Sequence, residues 1–425
     1  WHRVTAMSEK TSKTLSDGAD NWEKLDLDEH LIDVPRMQHY RLERVQRELQ
    51  RRNLGALIAY DPVNIRYATG MRNMQVWAFH SIIRMAFVPA SGKVTLFEYA
   101  GSEHLAEGLN TVEEVRASVA LHFGPGLTDG QLQDRLSRWQ QEIGALMQRY
   151  CQDNRRIALD NQVPFVAGES LQSQGFELVS GYDVIAAAQS VKNPDEVRAM
   201  RRSLAVAEIG IERLHRAIRP GISENALWAE LNHANIEFGG EYMDTRLLSS
   251  GPRTNPWYQE SGERLIESGD MIALDTDMIG PYGYDADISR SFVCEPQHAT
   301  RRQKTIYQLA YEHIHHNMSL LKPGVSFREL SENAFRLPEK YRPQSISMNW
   351  HGVSLYGGWP TILGFGCFDE SSEDGEVVAG MTLCVESYVG ELGGPDGVKL
   401  EEQVLVTESG YRLLSHYPFE TTLLN

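Results

Sequence analysis

Met271-Ile-Ala-Leu-Asp275-Thr-Asp277-Met-Ile-Gly-Pro-Tyr-Gly-Tyr284-Asp285-Ala-Asp287-Ile-Ser-Arg290 decides how the last third of this chain is read. An apolar run leads straight into two carboxylates, and a Gly/Pro turn returns the chain to a third. The pattern is a β-hairpin carrying acids where a strand would carry valines. Burying an ionised carboxylate is costly unless it is paired or bound to metal. Three more donors sit on other apolar stretches: His351 in Asn-Trp-His-Gly-Val, Glu386 in Leu-Cys-Val-Glu-Ser-Tyr-Val, and Glu401 in Val-Lys-Leu-Glu-Glu-Gln-Val. Taken singly, an Asp after a strand starts a turn and a lone His is a core residue. Together, five carboxylates and one imidazole form a hard, oxygen-rich set suited to two divalent ions such as Fe, Mn, Co or Zn.

Composition narrows the remaining possibilities. A chain of 425 residues is long enough for two domains. A formal charge of −17 and a pI near 5.3 argue against nucleic acid or an anionic membrane as partner. No apolar run approaches the roughly 20 residues that span a bilayer. Cys151, Cys294, Cys367 and Cys384 lack paired spacing, so reduced, buried thiols in a cytoplasmic protein are expected. The first residues are polar, without the apolar core of a signal peptide, and residues 1–35 read as an N-terminal arm.

Helical spacing over 36–54, a strand at Ala56–Tyr60, two strands between Ile82 and Phe97, and another at Arg156–Leu159 predict a small α/β domain over 36–190. Pro194 and Asp195 then begin a long helix toward residue 218 and open a second domain, 191–425. That domain contains an echo: Ala217-Ile-Arg-Pro-Gly-Ile-Ser223 returns as Leu320-Leu-Lys-Pro-Gly-Val-Ser326, each a helix end, a turn and a serine cap. Glu386 and Glu401 flank Gly393-Gly-Pro-Asp-Gly397, a turn that brings two strands side by side.

The segment 275–291, His351-Gly, Glu386 and Lys-Leu-Glu401-Glu-Gln-Val-Leu-Val-Thr resemble the creatinase, prolidase and methionine-aminopeptidase superfamily. The resemblance implies an α/β (α+β) protein, with a creatinase-like N-terminal domain and a pita-bread C-terminal domain of pseudo-twofold halves. It also implies two metals held by Asp275 or Asp277, Asp287, His351, Glu386 and Glu401. The family's two aspartates stand eleven apart; Asp275 is twelve and Asp277 ten from Asp287, so both stand as candidates. Tyr60-Asp-Pro-Val-Asn-Ile-Arg-Tyr-Ala-Thr69, Asn73-Met-Gln-Val-Trp77, Arg246-Leu-Leu-Ser-Ser-Gly-Pro-Arg-Thr-Asn-Pro-Trp257 and Gly380-Met-Thr-Leu-Cys-Val-Glu386 are similar to the peptidase-like dimethylsulfoniopropionate (DMSP) lyases. Homodimerisation, with Trp77 reaching a partner's pocket, is a further implication.

Two departures weaken the chemistry that the resemblance implies. Gly358 stands where the peptidases place a proton-carrying histidine, and Trp257-Tyr258 stand where they place another. Gly357 stands where the lyases place their general-base aspartate, and Ile346 replaces their tyrosine. Asp285, Asp275 if it is not a ligand, Tyr284 and Tyr356 are the candidate replacements. Trp77, Trp257, Tyr258, Trp350 and Trp359 are candidates for binding a cationic substrate group. Arg253 is the candidate carboxylate clamp, and Arg290 a candidate partner for Asp287. The expected function is a dimetal enzyme acting on a small carboxylate-bearing, zwitterionic substrate by elimination or hydrolysis. The alternatives are an Xaa-Pro-type hydrolase cutting a C–N bond and a metal-bearing binding protein without catalysis.

Overall fold

The computed structural model describes residues 29–121 and 125–424, so most of the predicted N-terminal arm lies outside the described residues. The first helix spans Val34–Arg51. Asp33 caps it by accepting from the Arg36 N–H at 2.9 Å, and Met37, Leu42, Val45 and Leu49 form its buried stripe. It packs beside a six-stranded mixed sheet. The strands are β1 (Ala56–Ala59), β2 (Met85–Pro89), β3 (Val94–Glu98), β4 (Val112–Ala117), β5 (Arg156–Leu159) and β6 (Glu177–Ser180), in the order β4-β3-β2-β1-β5-β6. Strands β1, β2 and β3 are buried along their whole length, as strands covered on both faces must be.

The long helix after the linker spans Pro194–Ala217. Asn193 and Glu196 form a reciprocal capping box at 2.8 and 2.9 Å. The sequence echo is structural: Ser223 caps Glu224–Glu237 and Ser326 caps Phe327–Asn333, each one turn after a long helix ends. Around these helices lie β7 (Tyr242–Met243), β8 (Leu248–Ser250), β9 (Met271–Asp275), β10 (Met278–Ile279), β11 (Asp285–Ala286), β12 (Ser289–Val293), β13 (Met348–Val353), β14 (Gly357–Leu363), β15 (Thr382–Gly390), β16 (Gly397–Thr407) and β17 (Gly410–Leu413). They form two three-stranded sheets, β11-β10-β7 and β12-β9-β8, and one five-stranded sheet, β14-β13-β15-β16-β17.

The metal-type donors fall on the concave side of these sheets because the side-chain period of a strand is two. Glu386 and Glu401 are direct cross-strand partners in the β15–β16 pair, and His351 faces Cys384 across β13–β15. Asp275 pairs with Ser289 across β9–β12. The two domains share one apolar cluster, running from Leu57 and Tyr67 to Tyr284, Val353 and Cys384, directly behind this surface. Arg66 adds a two-pronged ion pair to Glu241, at 2.5 and 2.6 Å, across the same junction.

Candidate metal centre and active site

Five carboxylates converge from two sheets and the short connections beside them on a cavity of about 590 Å³. Asp275 ends β9, Asp277 opens the turn beyond it with φ +35°, and Asp287 lies between β11 and β12. A positive φ is uncommon for a side chain-bearing residue and marks local strain held in place by its surroundings. Here those surroundings are Thr276, whose hydroxyl donates to the Ala286 carbonyl at 2.6 Å, and Thr245, whose hydroxyl donates to Asp277 Oδ2 at 2.5 Å.

His351 Nδ1 lies 3.1 Å from its neighbour's carbonyl, Gly352 O, which suits Nδ1–H as donor and leaves Nε2 facing the acids. Nε2 stands 3.3 Å from Glu401, 3.4 Å from Asp287 and 3.9 Å from Glu386. Burial alone would lower the imidazole, yet Glu401 and Glu386 outweigh it and raise His351 to about 10. Burial, and then the neighbouring acids, push Asp287 well above the ordinary carboxylate range; burial and Asp275 push Asp277 up to about 8. Such crowding calls for cations.

One cation belongs to the chain itself. Lys399, buried, places Nζ 3.0 Å from Asp275, 3.0 Å from Glu386 and 2.6 Å from Glu401, with the Ser289 hydroxyl at 2.8 Å. Burial disfavours that ammonium, but the acids around it hold its pKa well above normal, and Lys399 in turn lowers Glu401 against burial. Lys399 stands two residues before Glu401 on one strand, so strand alternation could have flagged it.

The remaining geometry fits divalent ions. Donor atoms of Asp275, Asp277 and Asp287 lie within 4.8 Å of one another, as do those of Asp287, His351, Cys384 and Glu401. Asp287 Oδ1 is buried without a hydrogen-bond partner among the described residues, an acceptor left open. Oxygen, nitrogen and a neighbouring thiol at these separations suit Fe, Mn, Co or Zn.

The structure scatters the other candidates more widely than sequence reasoning did. Trp257 and Tyr258 line the cavity, with Leu247, Glu260, Met348, Gly357, Gly358 and Thr361. Tyr258 is held at φ +70° and is 70% exposed. Four expectations are corrected. Trp350 points the other way, wholly buried among the helix-side residues, because it alternates with His351. Trp359 packs edge-on against Phe327 and donates to Glu373 at 2.6 Å, outside the cavity. Arg253 is tied to Glu224 and the Glu260 carbonyl and does not line the cavity. Arg290 bonds Glu402 at 2.8 Å and backbone carbonyls rather than Asp287, since it faces the opposite side of β12.

Of the candidate bases, Tyr284 is buried and donates to Glu196 at 2.9 Å, away from the cavity. Tyr356 lines a small separate cleft with Lys192 and Trp359. Asp285 is different. A Cβ at Gly357 would lie 3.9 Å from Asp285 Oδ2 and 3.5 Å from the His351 ring, and Asp285 Oδ1 is buried without a partner. Trp77, 59% exposed on the N-terminal domain, is not among the residues lining the cavity of its own chain. Asp244, missed by sequence reasoning, lines the cavity, and burial raises its carboxyl to about 6. The thiol expectation also needs amending, since Cys367 is exposed while the other three cysteines are buried.

Residues 198–408 match metallopeptidase family M24 and residues 41–191 match the creatinase/prolidase N-terminal domain. The dimethylsulfoniopropionate lyase DddP of Roseovarius nubinhibens is 38% identical over 400 residues, covering 93% of this chain and 89% of that protein. The chain belongs to the creatinase/prolidase pita-bread superfamily. The corresponding lyase of Roseobacter denitrificans is 37% identical over 95% of this chain and 90% of its own length. The fold itself matches an Xaa-Pro dipeptidase from Bacillus anthracis, with a TM-score of 0.71 at 18% identity over 90% of this chain and 99% of that one. The protein is therefore a pita-bread lyase or hydrolase, and no described helix is long and apolar enough to cross a membrane.

Two outcomes test the centre. Elemental analysis of protein loaded under reducing conditions should find about two divalent ions per chain, the number the two donor sets accommodate; only trace metal would refute it. Lys399→Met should lower the melting temperature of metal-free protein more than that of loaded protein. Removing one partner of a buried ion pair costs about 3–5 kcal/mol, and added divalent ions should restore much of it.

Proposed function

We propose that this protein is a dimetal lyase that eliminates a leaving group from a small, zwitterionic carboxylate, in the manner of the DMSP lyases. The observation that carries the reading is the Asp285 carboxylate beside the gap at Gly357. Where the lyases of the resemblance hang a base from that strand position, this chain has a glycine whose added Cβ would touch the His351 ring and the Asp285 carboxylate. Asp275, Asp277, Asp287, His351, Glu386 and Glu401 would hold the two divalent ions.

Bound divalent ions would supply positive charge for the substrate carboxylate and so acidify the carbon beside it. The chain supplies the rest. Asp285 accepts the proton from that carbon, the C–H electrons become the new double bond, and the leaving group departs with the electrons of its own bond. His351, with its ring against the Gly357 gap, borders the path of that proton. Trp257 and Tyr258 shield the cavity from bulk water. Hydrolysis of a peptide needs a proton for the leaving amine, and Gly358 offers none, so Xaa-Pro dipeptides should not be cut.

A substrate panel with metal-loaded protein separates the readings: acrylate and dimethyl sulfide, released amine, or nothing. DMSP cleavage should be weak, Asp285→Asn should reduce any elimination by roughly 10²–10⁴-fold, and Gly357→Asp should raise dimethyl sulfide release. Rapid DMSP turnover would show that losing the Gly357 base is harmless; unchanged activity in Asp285→Asn would remove Asp285 from the mechanism.

Met74, Val76 and Trp77 are exposed together on a short helical turn of the N-terminal domain, an apolar patch suited to a protein contact. We infer a homodimer whose interface covers this patch. Light scattering at micromolar concentration should give twice the chain mass, and Trp77→Ser should shift it toward monomer.

A further inference from the structure

Once the metals are counted, the cavity has two ends of different charge. Two divalent ions and the Lys399 ammonium would neutralise the five ligand carboxylates. The acids then left are Asp244 and Glu260 on the cavity wall and the buried Asp285 beside Gly357. No lysine or arginine lines the cavity among the described residues, and Arg253 is held by Glu224. A substrate carboxylate would therefore find ligand positions only at the metals, while the wall away from them is negative.

Asp244 is held firmly against this wall. Its N–H donates to the Asp277 carbonyl at 2.9 Å, which ties the residue to the ligand-bearing hairpin, and Thr245 beside it bonds the Asp277 side chain. The Asp244 and Glu260 carboxylates are both exposed, and neither has a hydrogen-bond or ion-pair partner among the described residues; only Asp244 is tied through its backbone to the ligand-bearing hairpin, while Glu260 gives its backbone carbonyl to Arg253. Two free carboxylate oxygens reward a cation that carries N–H donors. A permethylated onium offers no donor and depends on aromatic faces, of which this cavity supplies Trp257 and Tyr258.

We propose that Asp244 is the specificity-determining residue of this cavity, and that it selects a small zwitterion whose positive end is an N–H-bearing ammonium. The proposal rests on the dimetal reading above. It gives a physical reason for expecting slow DMSP cleavage, since a dimethylsulfonium group meets the free oxygens of Asp244 by charge alone, without the hydrogen bonds an ammonium makes.

Isothermal titration of metal-loaded protein with four matched probes tests it: 3-aminopropionate, 3-(trimethylammonio)propionate, DMSP and uncharged 3-hydroxypropionate. The intact protein should bind 3-aminopropionate tightest. Asp244→Asn should weaken that probe by roughly tenfold, a charge-assisted hydrogen bond discounted for partial exposure, and leave 3-hydroxypropionate unchanged. Asp244→Glu should retain the preference. Equal weakening of all four probes, a preference for DMSP in the intact protein, or no binding to protein that holds two ions would overturn the proposal. Protein that takes up no metal would instead overturn the dimetal reading.

Discussion

The structure depends on gathering four buried carboxylates and the half-buried Asp277 around one histidine and one lysine. Like charges at 3–4 Å cannot all remain ionised in a weakly polarisable interior, so the surrounding fold must hold them against their own repulsion. It does so with strands, whose side chains project at fixed spacing, and with a mixed apolar core that closes behind them. Lys399 supplies the part of the counter-charge that the chain can supply. Divalent ions fit the remainder, because acceptors such as Asp287 Oδ1 are left open.

The same crowding shapes the reactive side of the cavity. Asp285 belongs to the hairpin that carries Asp287, yet it faces the gap left by Gly357 on another sheet. One glycine therefore removes a side chain from the wall and leaves a neighbouring acid at its edge. The candidate ligands on the same hairpin keep their places beside it.

Much of this was legible in the chain before any coordinates. Strand alternation and the Gly/Pro turn placed Asp275, Asp277 and Asp287 on one hairpin, and the turn at 393–397 placed Glu386 opposite Glu401, as the β15–β16 register shows. The serine-capped echo marked two related halves. The aromatic candidates were harder, because a tryptophan beside a ligand reads the same whether it faces the site or the core. Trp350 faces the core by the alternation that turns His351 toward the acids, while Trp257 and Tyr258 face the cavity.

The sequence by itself determined the candidate donor set, the domain types and the glycines at 357 and 358, because each depends on residue identity and on short-range periodicity. Tertiary structure decided which charges meet. Lys399 among three acids, Arg253 captured by Glu224, Asp285 at the Gly357 gap and Asp244 on the cavity wall are contacts between segments far apart in the chain. Spacing along a strand fixes the face on which a side chain lies; only the packing of one sheet against another fixes what that face meets.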